Sequence, residues 1–301
     1  MKKISIVTPC FNEEKNIEIV YNKIKKIMTT FKGSYTYEHI VIDNCSHDNT
    51  QNILRKLAKN DKNLKCIFNA RNFGPVRSPY HGILQSSGDA VIMIASDLQD
   101  PPELISEYIK KWEDGYDVVL AVKPSSDEFF LMKNIRKLYY KLLSSISDAP
   151  MEQNATGAGL YDQKVIKHLI QLNDPYPYFR GLICDLGFKR TTIEFNQPKR
   201  AHGKTSTNFY ILFDQAFLAM TKHSKLPIRL MTLLGFTISI LSSFVAVIYL
   251  VLKILNWDSF DLGIAPILIS VFFFFGFLFF FLGIIGEYIG MILTHQRNMP
   301  H

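Results

Sequence analysis

Short apolar runs alternate with amphipathic stretches over roughly the first hundred residues of the chain. The runs at 3–11, 37–46, 64–70 and 89–96 have the length of β-strands and are followed by polar residues. Residues 12–28 instead repeat their apolar positions at helical spacing. Strand and helix patterns that alternate in this way predict βαβ units, and hence a mostly parallel sheet with right-handed crossovers.

The pattern changes towards the carboxyl terminus. Residues 134–146 are amphipathic, and two interpretations stay open: a solvated helix on the core, or a helix lying on a membrane surface. Residues 208–227 are amphipathic too, and they lead into apolar sequence, which favours a helix in the membrane interface. The stretches 230–252 and 264–286 are each long enough to cross a hydrocarbon layer of about 30 Å.

Charges flanking the two apolar stretches predict their orientation. Basic residues lie at the two outer ends, at Lys222, Lys225, Arg229 and Arg297, whereas Lys253 is outnumbered by Asp258 and Asp261 in the connection. The positive-inside rule therefore predicts that both outer ends are cytoplasmic. We predict three regions: an α/β domain at 1–207, a juxtamembrane amphipathic helix at 208–228, and a two-helix transmembrane hairpin with a short tail at 229–301.

Composition and charge narrow the class of protein. The 301 residues are 48% hydrophobic with a mean hydropathy of +0.06, which is high for a wholly soluble protein. The formal net charge is +7, but the basic residues are dispersed and no aromatic-basic signature of nucleic-acid binding is present. Lipid phosphate and nucleotide diphosphate are therefore the favoured anions. The four cysteines lack metal-type spacing, which indicates reduced thiols in a cytoplasmic compartment.

Oxygen-bearing side chains follow two of the predicted strands. Asp97 and Gln99 come directly after the run 89–96. Asp43 follows the residues "HIVI" within the run 37–46. Carboxyl ends of parallel strands form the ligand crevice in such sheets. Mg²⁺ or Mn²⁺ takes one or two carboxylates together with substrate phosphates, so Asp97 and Gln99 are candidate metal ligands. Asp100, before a proline pair, is expected to cap a helix.

Two basic segments offer phosphate ligands. The loop 197–208 contains Arg200, His202 and Lys204, which could close over a diphosphate, although a solvated charge run is an equal alternative. Arg180 fits either an ion pair or a phosphate contact.

The motifs "SIVTPCFNEEKNI", "VIDNCSHDNT", "SDLQDPPELI", "YFRGL" and "KRAHGKTS" resemble, in this order, those of family-2 glycosyltransferases with a GT-A fold. The paired apolar stretches resemble the branch that glycosylates polyprenyl phosphate, with dolichyl-phosphate mannose synthase-like and bactoprenol glucosyltransferase-like members. The resemblance covers nearly the whole chain. It implies an α/β, Rossmann-like and mostly parallel sheet domain in the cytoplasm, followed by amphipathic interface helices and two transmembrane helices.

The resemblance also implies roles for individual residues. Pro9 and Glu13 match the motif that lines the nucleotide pocket, and Asp43 matches the aspartate that contacts the base. Asp97 matches the second aspartate of the family's D-x-D motif, and Gln99 matches its metal-side glutamine.

Basic residues complete the implied site. Arg200 matches the arginine of the R-x-x-G loop over the diphosphate, and Lys204 and Arg180 are assigned with it to the nucleotide sugar. Arg136 lies on the amphipathic stretch where family members hold the lipid phosphate.

Three positions depart from the family pattern. Asn44 replaces the second acidic residue of "DDGS", Ala95 replaces the first aspartate of D-x-D, and Gly157 stands where many relatives have an aspartate proposed as a base. Loss of that base is tolerable, because a phosphate monoester is already anionic at pH 7. Ala95 suggests a metal site with one direct carboxylate, or a weaker dependence on metal.

These observations predict an inverting, Mg²⁺- or Mn²⁺-assisted transfer from a nucleotide-diphosphate sugar, with UDP as the expected nucleotide, to polyprenyl phosphate. Asp97 and Arg200 are the predicted catalytic residues. We expect a homo-oligomeric, multi-pass protein of the inner (plasma) membrane that binds no nucleic acid. The alternatives are a catalytically silent nucleotide-sugar-binding scaffold, a processive polysaccharide synthase, for which the chain lacks Q-x-x-R-W, and a lipid-binding or flipping partner, against which the ordered motifs argue.

Overall fold

A computed structural model describes residues 1–123, 152, 154–198, 218, 222, 226–255 and 264–296. The chain divides into two compact units, one formed by 1–220 with 298–301 and the other by 221–297.

A seven-stranded sheet forms the centre of the first unit. Its strands are β1 Lys2–Cys10, β2 Tyr35–Asp43, β3 Leu64–Phe68, β4 Ala90–Met93, β5 Val118–Val122, β6 Ala155–Asp162 and β7 Arg190–Glu194. Their order across the sheet is β3-β2-β1-β4-β6-β5-β7. The helices of this unit are α1 Ile17–Thr30, α2 Thr50–Asn60, α3 Gly74–Leu84, α4 Leu104–Glu113, α5 Gln163–Leu172 and α6 Phe179–Asp185.

Strand direction confirms the predicted α/β class. The strands β1 to β4 are parallel to one another, as the alternation of strand and helix patterns predicts. The strand β6 runs antiparallel to both β4 and β5, and β5 is parallel to β7, so the complete sheet is mixed. The beginning of β6 therefore lies beside the carboxyl end of β4, at the edge where the loops after β1, β2 and β4 also lie.

Burial of the central strands stabilises the sheet. Ile4, Ile6 and Val7 of β1 are fully buried on both faces of the sheet, because helices cover each face. Each such side chain contributes about 1.5–3 kcal/mol of transfer free energy. The helix α1 packs one apolar stripe, with Val20 and Ile24 at its centre, against this core.

The predicted cap of the fourth helix is wrong. Asp100 does not cap α4, which begins at Leu104 after a turn through the two prolines and has Glu103 at its N-cap position. The reason is that Asp100 is buried, where its carboxylate lies near the Ala95 backbone and the Thr156 side chain.

The second unit contains two long helices, α7 Leu226–Leu255 and α8 Ile264–Gln296. They contain both stretches that the sequence predicts to span a membrane, and they expose large apolar side chains such as Phe236, Phe244 and Phe279. Within the described part of the chain, however, no helix combines the length and the apolar character that a membrane crossing requires. The transmembrane prediction is thus not confirmed. The predicted helix at 134–146 and nearly all of 208–225 lie outside the described residues.

Candidate active site

The loops after β1 and β2 are joined by direct hydrogen bonds. The two strands are paired up to Cys10 and Asp43. The backbone N–H of Asn12 donates to Ser46 Oγ at 2.8 Å, and the backbone N–H of His47 donates to Asn12 Oδ1 at 2.8 Å. Asn12 has a φ of 56°, in the left-handed region, which lets the chain turn away from the sheet before α1. These bonds fix the two loops relative to each other.

Asp43 is fully buried at the end of β2. Its Oδ2 accepts hydrogen bonds from the Ser46 backbone N–H at 3.1 Å and from Gln51 Nε2 at 2.7 Å. Burial, with the charge of Asp43 as the next cause, raises the pKa of the adjacent Cys10 thiol well above its usual value. A buried carboxylate with two donors is held in one orientation, so Asp43 forms a rigid wall of this edge.

Pro9 and Glu13 lie where the sequence places them, on and just after β1. Pro9 is half-buried and pairs with Ile42 of β2. The Glu13 carbonyl accepts the backbone N–H of Ile17 at 2.9 Å, and its carboxylate accepts Asn16 Nδ2 at 2.6 Å, so Glu13 also starts the turn into α1.

Asn44 organises the loop between β3 and α3. Its Nδ2 donates to Asn72 Oδ1 at 2.8 Å and to the Gly74 carbonyl at 3.3 Å. Its Oδ1 accepts from Asn69 Nδ2 at 3.2 Å and from the Phe73 backbone N–H at 2.9 Å. A carboxylate has no N–H to donate, so an acidic residue could not replace this amide. The first departure from the family pattern therefore has a structural reason.

Asp97 and Gln99 lie on the loop after β4, and both are half-buried. Leu98 between them has a φ of 61°, and the Gln99 backbone N–H donates to Asp97 Oδ1 at 3.1 Å. Because β1 lies between β2 and β4, this loop and the loop that follows Asp43 meet at one edge of the sheet. The structure thus brings Pro9, Glu13, Asp43, Asp97 and Gln99 to the same edge.

Asp100 is a polar residue of this edge that the sequence assigned to another purpose. It is 8% exposed, and its Oδ1 is buried without a hydrogen-bond partner in the described residues. Burial, followed by the charge of Asp97, raises the pKa of its carboxyl to about 6. The contact between Asp100 and Thr156 joins residues far apart in sequence, so no local pattern identifies it.

The oxygen ligands of this loop fit a divalent metal only in part. In the described residues, no group of three or more His, Cys, Asp or Glu side chains could hold a metal ion. Asp97 and Gln99 provide hard oxygen ligands, and the orphaned Oδ1 of Asp100 is a buried acceptor close by. Mg²⁺ and Mn²⁺ suit such a set when substrate phosphates supply further ligands, so the residues fit a metal that binds together with its substrate.

Gly157 and Arg180 meet at the beginning of β6. Gly157 has a φ of +94°, which a residue with a side chain rarely adopts, and this favours glycine over an acidic residue here. A Cβ at this position would lie 3.7 Å from Arg180 Nε and 3.7 Å from Met93 Cε. Arg180 is exposed, and its Nη2 donates to the Thr156 carbonyl at 2.8 Å.

A small cleft lies beside these residues. Its lining is mostly apolar and consists of Leu120, Glu152, Ala155, Gly157, Tyr161, Tyr178, Arg180, Ile183 and Cys184. Glu152 forms an ion pair with Arg190 at 3.2 Å.

Three of the predicted site residues lie outside the described part of the chain. These are Arg136, Arg200 and Lys204.

The chain is similar to several known glycosyltransferases. The sequence-family model described as glycosyl transferase family 2 matches residues 5–170 of this chain. An uncharacterized glycosyltransferase, YkcC of Bacillus subtilis, is 33% identical over 98% of this chain and 91% of its own length. The bactoprenol glucosyl transferase of Shigella phage SfII is 30% identical over 99% of this chain and 96% of its own. The crystal structure of Mycobacterium tuberculosis glucosyl-3-phosphoglycerate synthase with Mg²⁺ and uridine-diphosphate matches with a TM-score of 0.45 and 21% identity, over 73% of this chain and 77% of that one.

Proposed function

The chain belongs to glycosyl transferase family 2, and on that premise we propose that this glycosyltransferase moves one sugar from a nucleotide diphosphate to polyprenyl phosphate. One observation carries the donor half of the proposal. The loops that bear Asp43 and Asp97 lie at one sheet edge, on either side of β1, as a nucleotide and its phosphates require. The acceptor half draws support from a full-length relative that is named a bactoprenol glucosyl transferase.

The donor is a nucleotide-diphosphate sugar, with uridine as the proposed base. Asp43 is the proposed contact to the base, and Pro9 and Glu13 line the pocket beside it. Arg200 and Lys204 are assigned to the donor's phosphates from sequence alone.

Asp97 and Gln99 would hold Mg²⁺ or Mn²⁺, which when bound would neutralise charge on the departing diphosphate. The chain's own residues position the donor for this step. Asp97 is restrained by its hydrogen bond to the Gln99 backbone, so its carboxylate is oriented before the donor arrives.

The reaction needs no protein base. An anionic phosphate oxygen of the acceptor forms a bond to the anomeric carbon, and the bond from that carbon to the donor's diphosphate oxygen breaks. The nucleoside diphosphate leaves with the electron pair, and attack from the opposite face inverts the anomeric centre. An acceptor that is already anionic at pH 7 is compatible with glycine at position 157.

The proposed place of action is the inner (plasma) membrane, with the catalytic unit on the cytoplasmic side and the chains associated as homo-oligomers. Exposed apolar side chains along α7 and α8, for example Leu233 and Phe279, support a membrane attachment of the second unit. Residues outside the described part of the chain would supply the predicted interface helices and the lipid contact of Arg136.

A panel of nucleotide sugars tests the function. The purified full chain is incubated with each donor, short-chain polyprenyl phosphate and Mg²⁺ or Mn²⁺, and the lipid is identified by mass and its anomer by NMR. We expect one donor to yield a polyprenyl-phosphate monosaccharide with inverted configuration. A second candidate, a silent scaffold that binds nucleotide sugar, is favoured by Ala95, which removes a carboxylate from the metal loop. Tight donor binding without any lipid product would select the scaffold.

A further inference from the structure

We propose that Arg180 binds the phosphate of the acceptor lipid, in the cleft beside Gly157, and not the diphosphate of the donor. This inference rests on the proposed function and assigns the acceptor subsite within it. It replaces the assignment of Arg180 to the nucleotide sugar that the sequence suggested.

The first argument is the order of the groups along the sheet edge. Asp43 ends β2, the loop with Asp97 follows β4, and Gly157 lies near the beginning of β6, beyond β4. Neighbouring strands are about 4.8 Å apart, so Gly157 is roughly 14 Å across the sheet from the strand that holds Asp43. In the proposed donor complex the base lies at β2 and the diphosphate at the β4 loop. The beginning of β6 is the next position along the edge, on the far side of the transferred sugar. The attacking acceptor must approach from there.

The second argument is the hydrogen-bonding capacity of Arg180. A guanidinium has five N–H donors, and one is used on the Thr156 carbonyl. Among the described residues, no carboxylate forms an ion pair with Arg180. The acidic side chain that lines the cleft, Glu152, is paired with Arg190. Arg180 therefore retains donors for an incoming anion.

The third argument is the space that Gly157 leaves. A side chain at this position would begin 3.7 Å from Arg180 Nε, and an acidic one could pair with the guanidinium and compete with a substrate anion. Glycine leaves this approach open. A phosphate monoester can accept two parallel hydrogen bonds from a planar guanidinium, and this geometry suits arginine better than lysine.

The apolar walls of the cleft favour a lipid phosphate. Leu120, Ala155, Ile183 and Tyr161 are among the residues that line the cleft beside Arg180, and all four are buried. Apolar walls on one side of the guanidinium strengthen its attraction to a phosphate that covers it.

The test compares four proteins in nanodiscs: wild type, Arg180→Ala, Arg180→Lys and the control Lys189→Ala. Lys189 is also exposed, but it lies over the Tyr116 ring at the opposite edge of the sheet. Three quantities are measured: KM for short-chain polyprenyl phosphate, Kd for UDP by calorimetry, and retention of polyprenyl phosphate against polyprenol by native mass spectrometry.

We expect Arg180→Ala to raise KM for polyprenyl phosphate at least about tenfold and to leave Kd for UDP within about twofold, since only the acceptor loses a charged hydrogen bond. Arg180→Lys should fall between, and Lys189→Ala should match wild type. Wild type should retain polyprenyl phosphate better than polyprenol, and Arg180→Ala should lose that preference.

A weakened UDP affinity with an unchanged acceptor KM would return Arg180 to the donor and overturn the proposal. Unchanged values for both ligands would overturn it as well. Lipid-phosphate retention that depends on Arg180, without any sugar transfer by wild type, would uphold the subsite and overturn the proposed function. Absence of lipid-phosphate retention by wild type would overturn the subsite.

Discussion

The sheet edge that carries the candidate site has two halves, which differ in how many of their polar side-chain atoms have hydrogen-bond partners. At the β1–β2 half, Asp43 and Asn44 have protein partners for their side-chain atoms, through Ser46 and Gln51 and through the loop before α3. At the β4–β6 half, Asp100 Oδ1 has no partner in the described residues and Arg180 donates to a single carbonyl.

This difference distinguishes residues that stabilise the fold from residues that are expected to act on a ligand. The first half is held by its own hydrogen bonds, so its surface is preformed for the proposed contact with the nucleoside. In the described part of the second half, Asp100 Oδ1 has no hydrogen-bond partner and Arg180 keeps N–H donors, which a metal and substrate phosphates would satisfy. Substitutions in the first half should therefore lower stability, whereas substitutions in the second should lower activity with little effect on folding.

The largest expected effect is a loss of turnover when a residue of the second half is substituted. Asp97→Asn should reduce kcat/KM by about 100-fold, because the carboxylate that would hold the metal loses its charge. Thermal unfolding should be unchanged, and binding of Mn²⁺ in the presence of UDP, followed by electron paramagnetic resonance, should weaken.

The matched control is Asp114→Asn, at the exposed carboxyl end of α4. It should retain wild-type turnover. Activity of Asp97→Asn at the wild-type rate would remove the metal assignment.

The next effect is on stability in the first half. Asn44→Asp places carboxylate oxygens against two acceptors, Asn72 Oδ1 and the Gly74 carbonyl, and replaces two hydrogen bonds with repulsion. Asn44 is 7% exposed, so the loss should be about 2 kcal/mol of unfolding free energy. Denaturant unfolding followed by fluorescence measures it. The exposed Asn22→Asp on α1 is the control, and equal stabilities of the two variants would contradict the role of Asn44.

The strand β2, which ends in the first half, should also make stability depend on pH through His39. This ring is 1% exposed, lies 3.0 Å from Thr8 Oγ1, and burial lowers its pKa from 6.5 to about 4. The unfolded chain therefore binds a proton more readily between these values, and stability falls as pH decreases from 6.5 towards 4. At pH 5.5 the loss is about 1.4 kcal/mol.

His39→Gln should lack this part of the pH dependence. The check is the difference between wild-type and variant unfolding free energies at pH 7.5 and 5.5. A difference that does not change with pH would show that His39 is not held neutral in the fold.

The smallest effect concerns the backbone at the boundary of the second half. Gly157→Ala should cost about 1 kcal/mol because of its φ of +94°, although the nearest atoms leave room for a methyl group. Denaturant unfolding measures this cost, and Gly235→Ala within α7, where no atom is near, should not show it. An unaltered stability of Gly157→Ala would mean that the glycine is not required by its backbone conformation.

The sequence predicted the parallel half of the sheet well, because strands β1 to β4 are marked by apolar runs that end in polar residues. This reading placed Asp43, Asp97 and Gln99 at one edge correctly. It could not reveal the antiparallel strand β6, since strand direction depends on pairing between distant segments.

The polar contacts of single residues were not predictable for a related reason. Asn44 forms hydrogen bonds to residues 25 to 30 positions away, and Asp100 lies near Thr156, so neither partner is visible in a local pattern. The helix-cap interpretation of Asp100 failed because burial and these contacts, and not local capping preference, determine its position.

The acceptor specificity of transfer tests the central claim most directly. Wild-type protein is incubated with its preferred nucleotide sugar and either polyprenyl phosphate or polyprenol of the same chain length. The masses of the lipid products are then determined by mass spectrometry. The proposed function predicts a single added sugar on polyprenyl phosphate and none on polyprenol. Transfer to polyprenol, or an unmodified polyprenyl phosphate while the donor is bound, would contradict it.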